Sequence, residues 1–348
     1  MSDEVGNGAR WVEGAVEWRA HRVVVTGGAG FLGSAVVRAL RARGAECVVV
    51  VRSRECDLTT REGARRVVRE TFASTGPTVV IHCAAAVGGI QANRDRPGEF
   101  FFRNAAMAMN LGEELRLGAR PGARLGEPGY PAALVAVGSM TSYPARAPMP
   151  FREEELWNGY PDAASAPYGV AKLAAWQMLD AYHRQYGLRA GYVVPVNLYG
   201  PGDNIADEKN AHVAGTLVRR IVEAARAGAP EVVNWGTGSP TREFLYVEDA
   251  AEGVVRAAER AIAIDGRPTP INLGSGEEVS IKRLAEMIAA AAGYRGRISW
   301  DASKPDGQAR RCMDTGRARE LLGWRARVGL EEGIGRTVEW YRGERVSR

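Results

Sequence analysis

The chain is poor in lysine. It has 46 Lys and Arg residues in 348, yet only Lys172, Lys209, Lys282 and Lys304 are lysines. Arginine carries nearly all the positive charge, so a lysine inside a chemical motif is conspicuous. Cysteine is scarce too. Cys47, Cys56, Cys83 and Cys312 are scattered, and no pair has a metal-ligand spacing. That pattern argues for reduced thiols in a cytoplasmic protein and against a disulfide framework or a bound metal. No run of about 18 uncharged apolar residues exists, so no membrane-spanning helix is expected. Met1–Arg22 contains Asp3, Glu4, Glu13 and Glu17 and no apolar block, unlike a secretory signal. The formal charge is +5, but the basic residues are dispersed among 41 acidic ones and no Lys/Arg run interleaves with aromatics. A nucleic-acid partner is therefore not expected.

What remains is an ordinary globular composition, at a length that allows one large domain or two. After a loosely attached leader over residues 1–20, apolar β-branched runs alternate with helical patterns. Strands are expected at Arg22–Thr26, Cys47–Val51, Val79–His82, Ala133–Val137 and Gly191–Val196. Helices are expected at Phe31–Arg43, Arg61–Ala73, Glu99–Leu117 and Tyr168–Tyr186. Such alternation predicts an α/β fold, a Rossmann-type doubly wound parallel sheet. The regularity fails after Tyr199, where Gly, Pro, Arg and Trp punctuate shorter segments. The expected division is a dinucleotide-binding domain over 21–198, with 236–262 returning to it. A smaller interleaved substrate lobe takes 199–235 and 263–348. The Pro/Gly-rich stretch 116–130 reads as an insertion or long loop.

Thr26-Gly27-Gly28-Ala29-Gly30-Phe31-Leu32-Gly33 joins the first strand to the first helix. Gly27 permits a tight turn, Gly30 lets backbone approach a pyrophosphate, and Gly33 lets helix pack near strand. The helix N-terminus then offers free N–H groups to phosphate. The second strand runs into Arg52-Ser53-Arg54, where NAD sites usually carry a carboxylate for the ribose 2′-hydroxyl. Guanidinium grips a 2′-phosphate instead, so Arg52 and Arg54 predict NADP(H) over NAD. Further on, Tyr168 and Lys172 lie at i and i+4 on one helix face, behind Ser165 and Pro167 that suit a helix start. A nearby ammonium favours phenolate, which is expected to lower the Tyr168 pKa. Ser139, at the end of the strand Ala133–Val137, is the natural third partner on the same reacting oxygen.

These motifs resemble the extended short-chain dehydrogenase/reductase superfamily and, within it, the GDP-L-fucose synthase branch of epimerase/reductases. The narrower likeness rests on three blocks: Pro195-Val196-Asn197-Leu198-Tyr199-Gly200-Pro201-Gly202-Asp203-Asn204, Trp235 through Leu245, and Lys304-Pro305-Asp306-Gly307 with the later Leu322-Gly323-Trp324. The resemblance implies an NADPH-dependent enzyme on a 4-keto-6-deoxyhexose linked to GDP or another nucleoside diphosphate. It further implies cofactor contacts at Phe31 and Leu32, at Asp57 and Leu58, and at Ala84, Ala85 and Ala86. Tyr168, Lys172, Pro195, Asn197, Leu198 and His212 join that set. Substrate contacts are implied at Val87, Gly88, Asn197, Arg220, Trp235, Arg242 and Lys304. Arg219 is a further phosphate candidate, and Asn104 a supporting residue. A homodimer is implied as well.

In that branch a cysteine and a histidine invert C3 and C5 before hydride reaches C4. The histidine matches His212, but Thr141 stands where the cysteine belongs. A threonine hydroxyl is a very poor base at neutral pH. Double epimerisation is therefore in doubt. The absence of an acid at the same position disfavours a dehydratase. A redox-neutral epimerase with retained cofactor and a non-catalytic dinucleotide-binding protein are the competing readings.

Overall fold

The computed structural model of the chain describes residues 16–71, 78–118, 131–205, 212–264, 266–304 and 306–346. Most of the leader, most of the 116–130 stretch, and Lys209 and Pro305 lie outside the described residues. In chain order the first elements are β1 (Arg22–Thr26), α1 (Phe31–Ala42), β2 (Cys47–Val51), α2 (Arg61–Thr71), β3 (Thr78–His82), α3 (Ile90–Asp95), α4 (Pro97–Gly118), β4 (Pro131–Val137), α5 (Ala166–Tyr186), β5 (Ala190–Pro195) and β6 (Asn197–Tyr199). There follow α6 (Val213–Ala227), β7 (Glu231–Trp235), β8 (Thr241–Tyr246), α7 (Val247–Ala263), β9 (Pro270–Leu273), β10 (Glu278–Ser280), α8 (Ile281–Ala292), β11 (Arg297–Asp301), α9 (Gly316–Leu322) and α10 (Leu330–Val346).

The valine-rich runs form a six-stranded sheet in the order β2-β1-β3-β4-β5-β9, and its neighbouring strands are parallel. Val23–Val25 and Val79–Ile81 are wholly buried, as strands covered on both faces must be. Helices do the covering: α1 packs on α7, while α2 packs on α4 and α4 on α5. This is the expected doubly wound α/β sheet. Strand order reverses beside β1, with β2 on one side and β3 on the other, which opens a crevice at their carboxyl ends.

A second hydrophobic core is built from α6, α8 and α10 with β8, around Ile221, Ile288, Ile334 and Val338. Its strands form a three-stranded sheet, β10-β8-β6, and a two-stranded sheet, β11-β7. β8 serves both cores. Phe244 and Tyr246 point into the second and Leu245 into the first, as a period of two requires.

Three placements differ from the sequence expectation. β9, within the stretch given to the smaller lobe, pairs with β5 in the large sheet, and Met313, Leu322 and Trp324 sit in the large core. Four buried residues between Gly/Pro-rich turns make a strand too short for periodicity to reveal. Conversely β8, in the stretch expected to return to the first domain, pairs with β6 and β10. Finally, the leader is docked from Val16 onward. Val16 and Trp18 are buried, and the Trp18 indole donates to Glu259 on α7 at 2.9 Å.

Candidate active site

A cavity of about 840 Å³ opens at the crevice. Its floor is the glycine turn. Gly27 holds a left-handed φ of +68°, and a Cβ there would lie 2.7 Å from the Ala84 backbone. A Cβ on Gly33 would lie 2.1 Å from the Gly27 carbonyl. Both positions therefore accept only glycine. Gly30 is the N-cap of α1, and no side chain caps the helix. The first-turn N–H groups at Phe31, Leu32 and Gly33 thus face the cavity without a protein acceptor from that cap, which suits a pyrophosphate. These residues fit a dinucleotide.

At one end of the cavity the wall is charged. Arg52 and Arg54 line it, and both point to Glu55, which does not. Asp57 also lines it. Bonds from the Thr59 hydroxyl and N–H hold its carboxyl below the usual range. Beside it Leu58 is buried. Opposite, the segment after β3 brings Ala84, Ala85 and Ala86 to the wall. Asn104 clamps Ala86 from α4, accepting from its N–H at 3.1 Å and donating to its carbonyl at 3.0 Å. Val87 and Gly88 continue this wall to the mouth, where Val87 is exposed.

At the other end the reacting groups meet. Ser139 follows β4 and heads the short turn Met140–Ser142. Its hydroxyl lies 2.9 Å from that of Thr141 and accepts from the Thr141 N–H. The first turn of α5 is pressed onto this turn. The Ser142 hydroxyl donates to the Gly169 carbonyl at 2.9 Å, and a Cβ on Gly169 would lie 2.5 Å from the Thr141 carbonyl oxygen. Tyr168 is thereby brought to Ser139, whose hydroxyl favours the charged form of its phenol. One turn on, the Lys172 ammonium lies 5.8 Å from the Tyr168 ring centroid and donates to the Val137 carbonyl at 2.9 Å.

Electrostatically, this end departs from expectation. The Tyr168 pKa is not lowered: burial pushes it up to about 12, and only the Ser139 hydroxyl works against that. Burial likewise pushes Lys172 down to about 8, with the Cys83 thiol acting the other way. Desolvation outweighs the ammonium–phenol attraction that the i, i+4 spacing suggested.

His212 is the N-cap of α6 and faces the cavity. The surrounding protein holds its pKa below the usual histidine value, so the ring is neutral at pH 7. Pro195, Asn197 and Leu198 complete the wall, with the Asn197 amide donating to the Glu243 carbonyl at 2.9 Å. The sequence reading gave no role to Asp203, which also lines the cavity. Desolvation pushes its half-buried carboxyl up to about 6. The only signal was an acid in a Gly-Pro-Gly turn after a strand.

Four expected substrate residues are not on this wall. Arg220 donates to the Val233 carbonyl and to Asn234. Arg242 donates to the Thr241 and Gln308 carbonyls, and burial pushes its pKa down to about 10. Trp235 is 73% exposed, with the Lys304 ammonium 5.8 Å from its ring centroid. The 235–242 and 304–308 segments do meet each other, because Asp306 accepts from the Thr237 N–H and hydroxyl. Arg219 lies beside Arg220 on α6.

A glycine-only turn at the switch point of a parallel sheet defines the class: a Rossmann-type dinucleotide-binding fold. The model of the NAD dependent epimerase/dehydratase family matches residues 23–274, and the chain belongs to that family. It is similar to a probable GDP-L-fucose synthase of Oryza sativa subsp. japonica, 39% identical over 92% of each chain. Among solved structures it is similar to a GDP-6-OMe-4-keto-L-xylo-heptose reductase from C. jejuni. That likeness has a TM-score of 0.83 at 26% identity and covers 95% of this chain and 100% of the other. A GDP-mannoheptose C4 reductase from Campylobacter jejuni, solved with NADP bound, matches with a TM-score of 0.79 at 26% identity, over 94% and 99% of the two chains. Among the described residues, no helix is long and apolar enough to cross a membrane.

Proposed function

We propose that the enzyme reduces C4 of a GDP-linked 4-keto-6-deoxyhexose with NADPH. The observation that carries this reading is the convergence of Ser139, Tyr168 and Lys172 at one end of the cavity that the glycine turn floors. The solved relatives named as 4-keto and C4 reductases support it. In this reading the large-sheet domain binds the dinucleotide, and the smaller lobe, with Arg220, Trp235, Arg242 and Lys304, meets the nucleotide of the substrate. Arg52 and Arg54 hold the 2′-phosphate, and the protein works as a homodimer in the cytoplasm.

A bound reduced nicotinamide supplies the hydride. The chain's own residues handle the proton and the oxygen. Ser139 and Tyr168 donate hydrogen bonds to the ketone oxygen, whose negative charge grows as the carbonyl is reduced. Tyr168 then gives up its proton. A phenol held near 12 stays fully protonated at neutral pH, which suits the reducing direction. Lys172, fixed by the Val137 carbonyl, stabilises the phenolate left behind. A ketone at C4 acidifies the protons at C3 and C5. His212, neutral at pH 7, can take one of them. Thr141, hydrogen-bonded to Ser139, orients that hydroxyl and does not act as a base.

The test is turnover of GDP-4-keto-6-deoxymannose with NADPH in deuterated water. Nicotinamide absorbance should fall in step with product. NMR should show deuterium at no more than one of C3 and C5. Absence of net absorbance loss would refute the reductase reading in favour of a redox-neutral epimerase. Deuterium at both carbons would show that Thr141 does not prevent double epimerisation.

A further inference from the structure

Arg52 Nη1 lies 3.6 Å and Arg54 Nε lies 3.4 Å from one and the same oxygen, Oε1 of Glu55. Both arginines line the cavity and Glu55 does not. The backbone fixes the arrangement, because the N–H groups of Glu55 and Cys56 both donate to the Arg52 carbonyl at 3.0 Å. One carboxylate is thus shared between two guanidiniums, with about half of each side chain in water for Arg52 and Glu55 and more for Arg54.

Two effects of Glu55 compete. It could orient the guanidiniums towards the cavity, or it could neutralise part of their charge. The contacts are single-point: 3.6 Å from Arg52 is beyond a hydrogen bond and 3.4 Å from Arg54 is a long one, so orientation is weak. The charge acts whatever rotamer the arginines adopt. Resting on the reading that Arg52 and Arg54 face a cofactor 2′-phosphate, we propose that Glu55 is a specificity-determining residue. Its charge offsets part of the arginine pair and holds down the preference for a 2′-phosphorylated dinucleotide over the unphosphorylated one.

A carboxylate within the screening length of about 8 Å opposes, across solvent, the binding of a phosphate of charge about −2 by roughly two- to eight-fold. The neutral ribose 2′-hydroxyl of NADH feels no such repulsion. Glu55→Gln removes the charge and keeps the shape and a hydrogen-bond acceptor.

The experiment is isothermal calorimetry of NADPH and NADH on the full chain, for the parent protein, Glu55→Gln, Glu55→Ala and Arg52→Ala. Glu55→Gln and Glu55→Ala should both tighten NADPH by roughly two- to eight-fold, with NADH changed less than about two-fold. The gain should shrink in high salt. A ratio of NADPH to NADH affinity that is unchanged or lowered in Glu55→Gln would overturn the proposal. So would weakened NADPH binding in Glu55→Ala, which would make Glu55 an orienting residue. Arg52→Ala separates the two levels. If it leaves the ratio unaltered, the 2′-phosphate reading itself falls. If it lowers the ratio while Glu55→Gln does nothing, the role of Glu55 alone is refuted.

Discussion

Gly169→Ala tests whether the contact between α5 and the Met140–Ser142 turn positions the reacting groups. The new Cβ would lie 2.5 Å from the Thr141 carbonyl oxygen and 3.0 Å from its carbon, both backbone atoms. Ordinary contact begins near 3.4 Å, so helix and turn must part by about 0.9 Å. Two effects on stability oppose each other. Alanine inside a helix gains roughly 0.8–1 kcal/mol over glycine. Overpacking costs about 1–3 kcal/mol. The net loss should therefore be small, about 0–2 kcal/mol, and the protein should stay folded. Catalysis should respond far more, because Tyr168 adjoins the displaced residue and Ser139 heads the opposing turn. A misplacement of about 1 Å costs roughly 100-fold in rate. Single-turnover decay of nicotinamide absorbance measures the loss, with NADPH affinity measured alongside as a control. A rate within about three-fold of the parent, at an unchanged melting temperature, would refute the idea that this contact sets the Ser139–Tyr168 geometry.

Other perturbations give sharper separations. Tyr168→Phe should abolish reduction while leaving NADPH binding within about two-fold, read by steady-state turnover and calorimetry; normal turnover would remove Tyr168 from the reacting set. Lys172, depressed to about 8, loses its charge above that pH. The kcat/KM for reduction should therefore decline above pH about 8, and a profile flat to pH 10 would contradict the assignment. Asn272→Ala leaves two groups without a partner, the Tyr143 hydroxyl at 2.7 Å and the Asp314 carbonyl at 3.1 Å, while the Phe151 carbonyl keeps the Asp314 N–H. At roughly 1–2 kcal/mol for each of the two, urea denaturation should show a loss of about 2–4 kcal/mol.

The strands β1 and β2 could be read to the residue, because Val runs that are bounded by Gly, Arg and Cys leave no other phase. The glycine turn and the Tyr168–Lys172 pair were equally plain, since both depend on local spacing. What escaped depends on partners distant in sequence. α3 is six residues, Ile-Gln-Ala-Asn-Arg-Asp, with no apolar stripe. Among its side chains, Asn93 donates to the Gly88 and Gly89 carbonyls, a contact no periodicity announces. The direction of the Tyr168 shift was misjudged because spacing shows a neighbouring charge and hides the depth of burial. Arg220 and Arg242 are expected from the sequence as substrate contacts. The fold gives both of them carbonyl partners and sets them off the cavity wall.

β8 places alternate side chains in two different cores. Neither lobe can swing away as a rigid lid without dragging Leu245 out of one interior or Phe244 and Tyr246 out of the other. Losing any one of these contacts would cost several kcal/mol. Large hinge opening at this seam is thereby closed off as a route for substrate entry. Access falls instead to the loops at the cavity mouth. The two lobes should also melt as one cooperative unit, with heat denaturation showing a single transition.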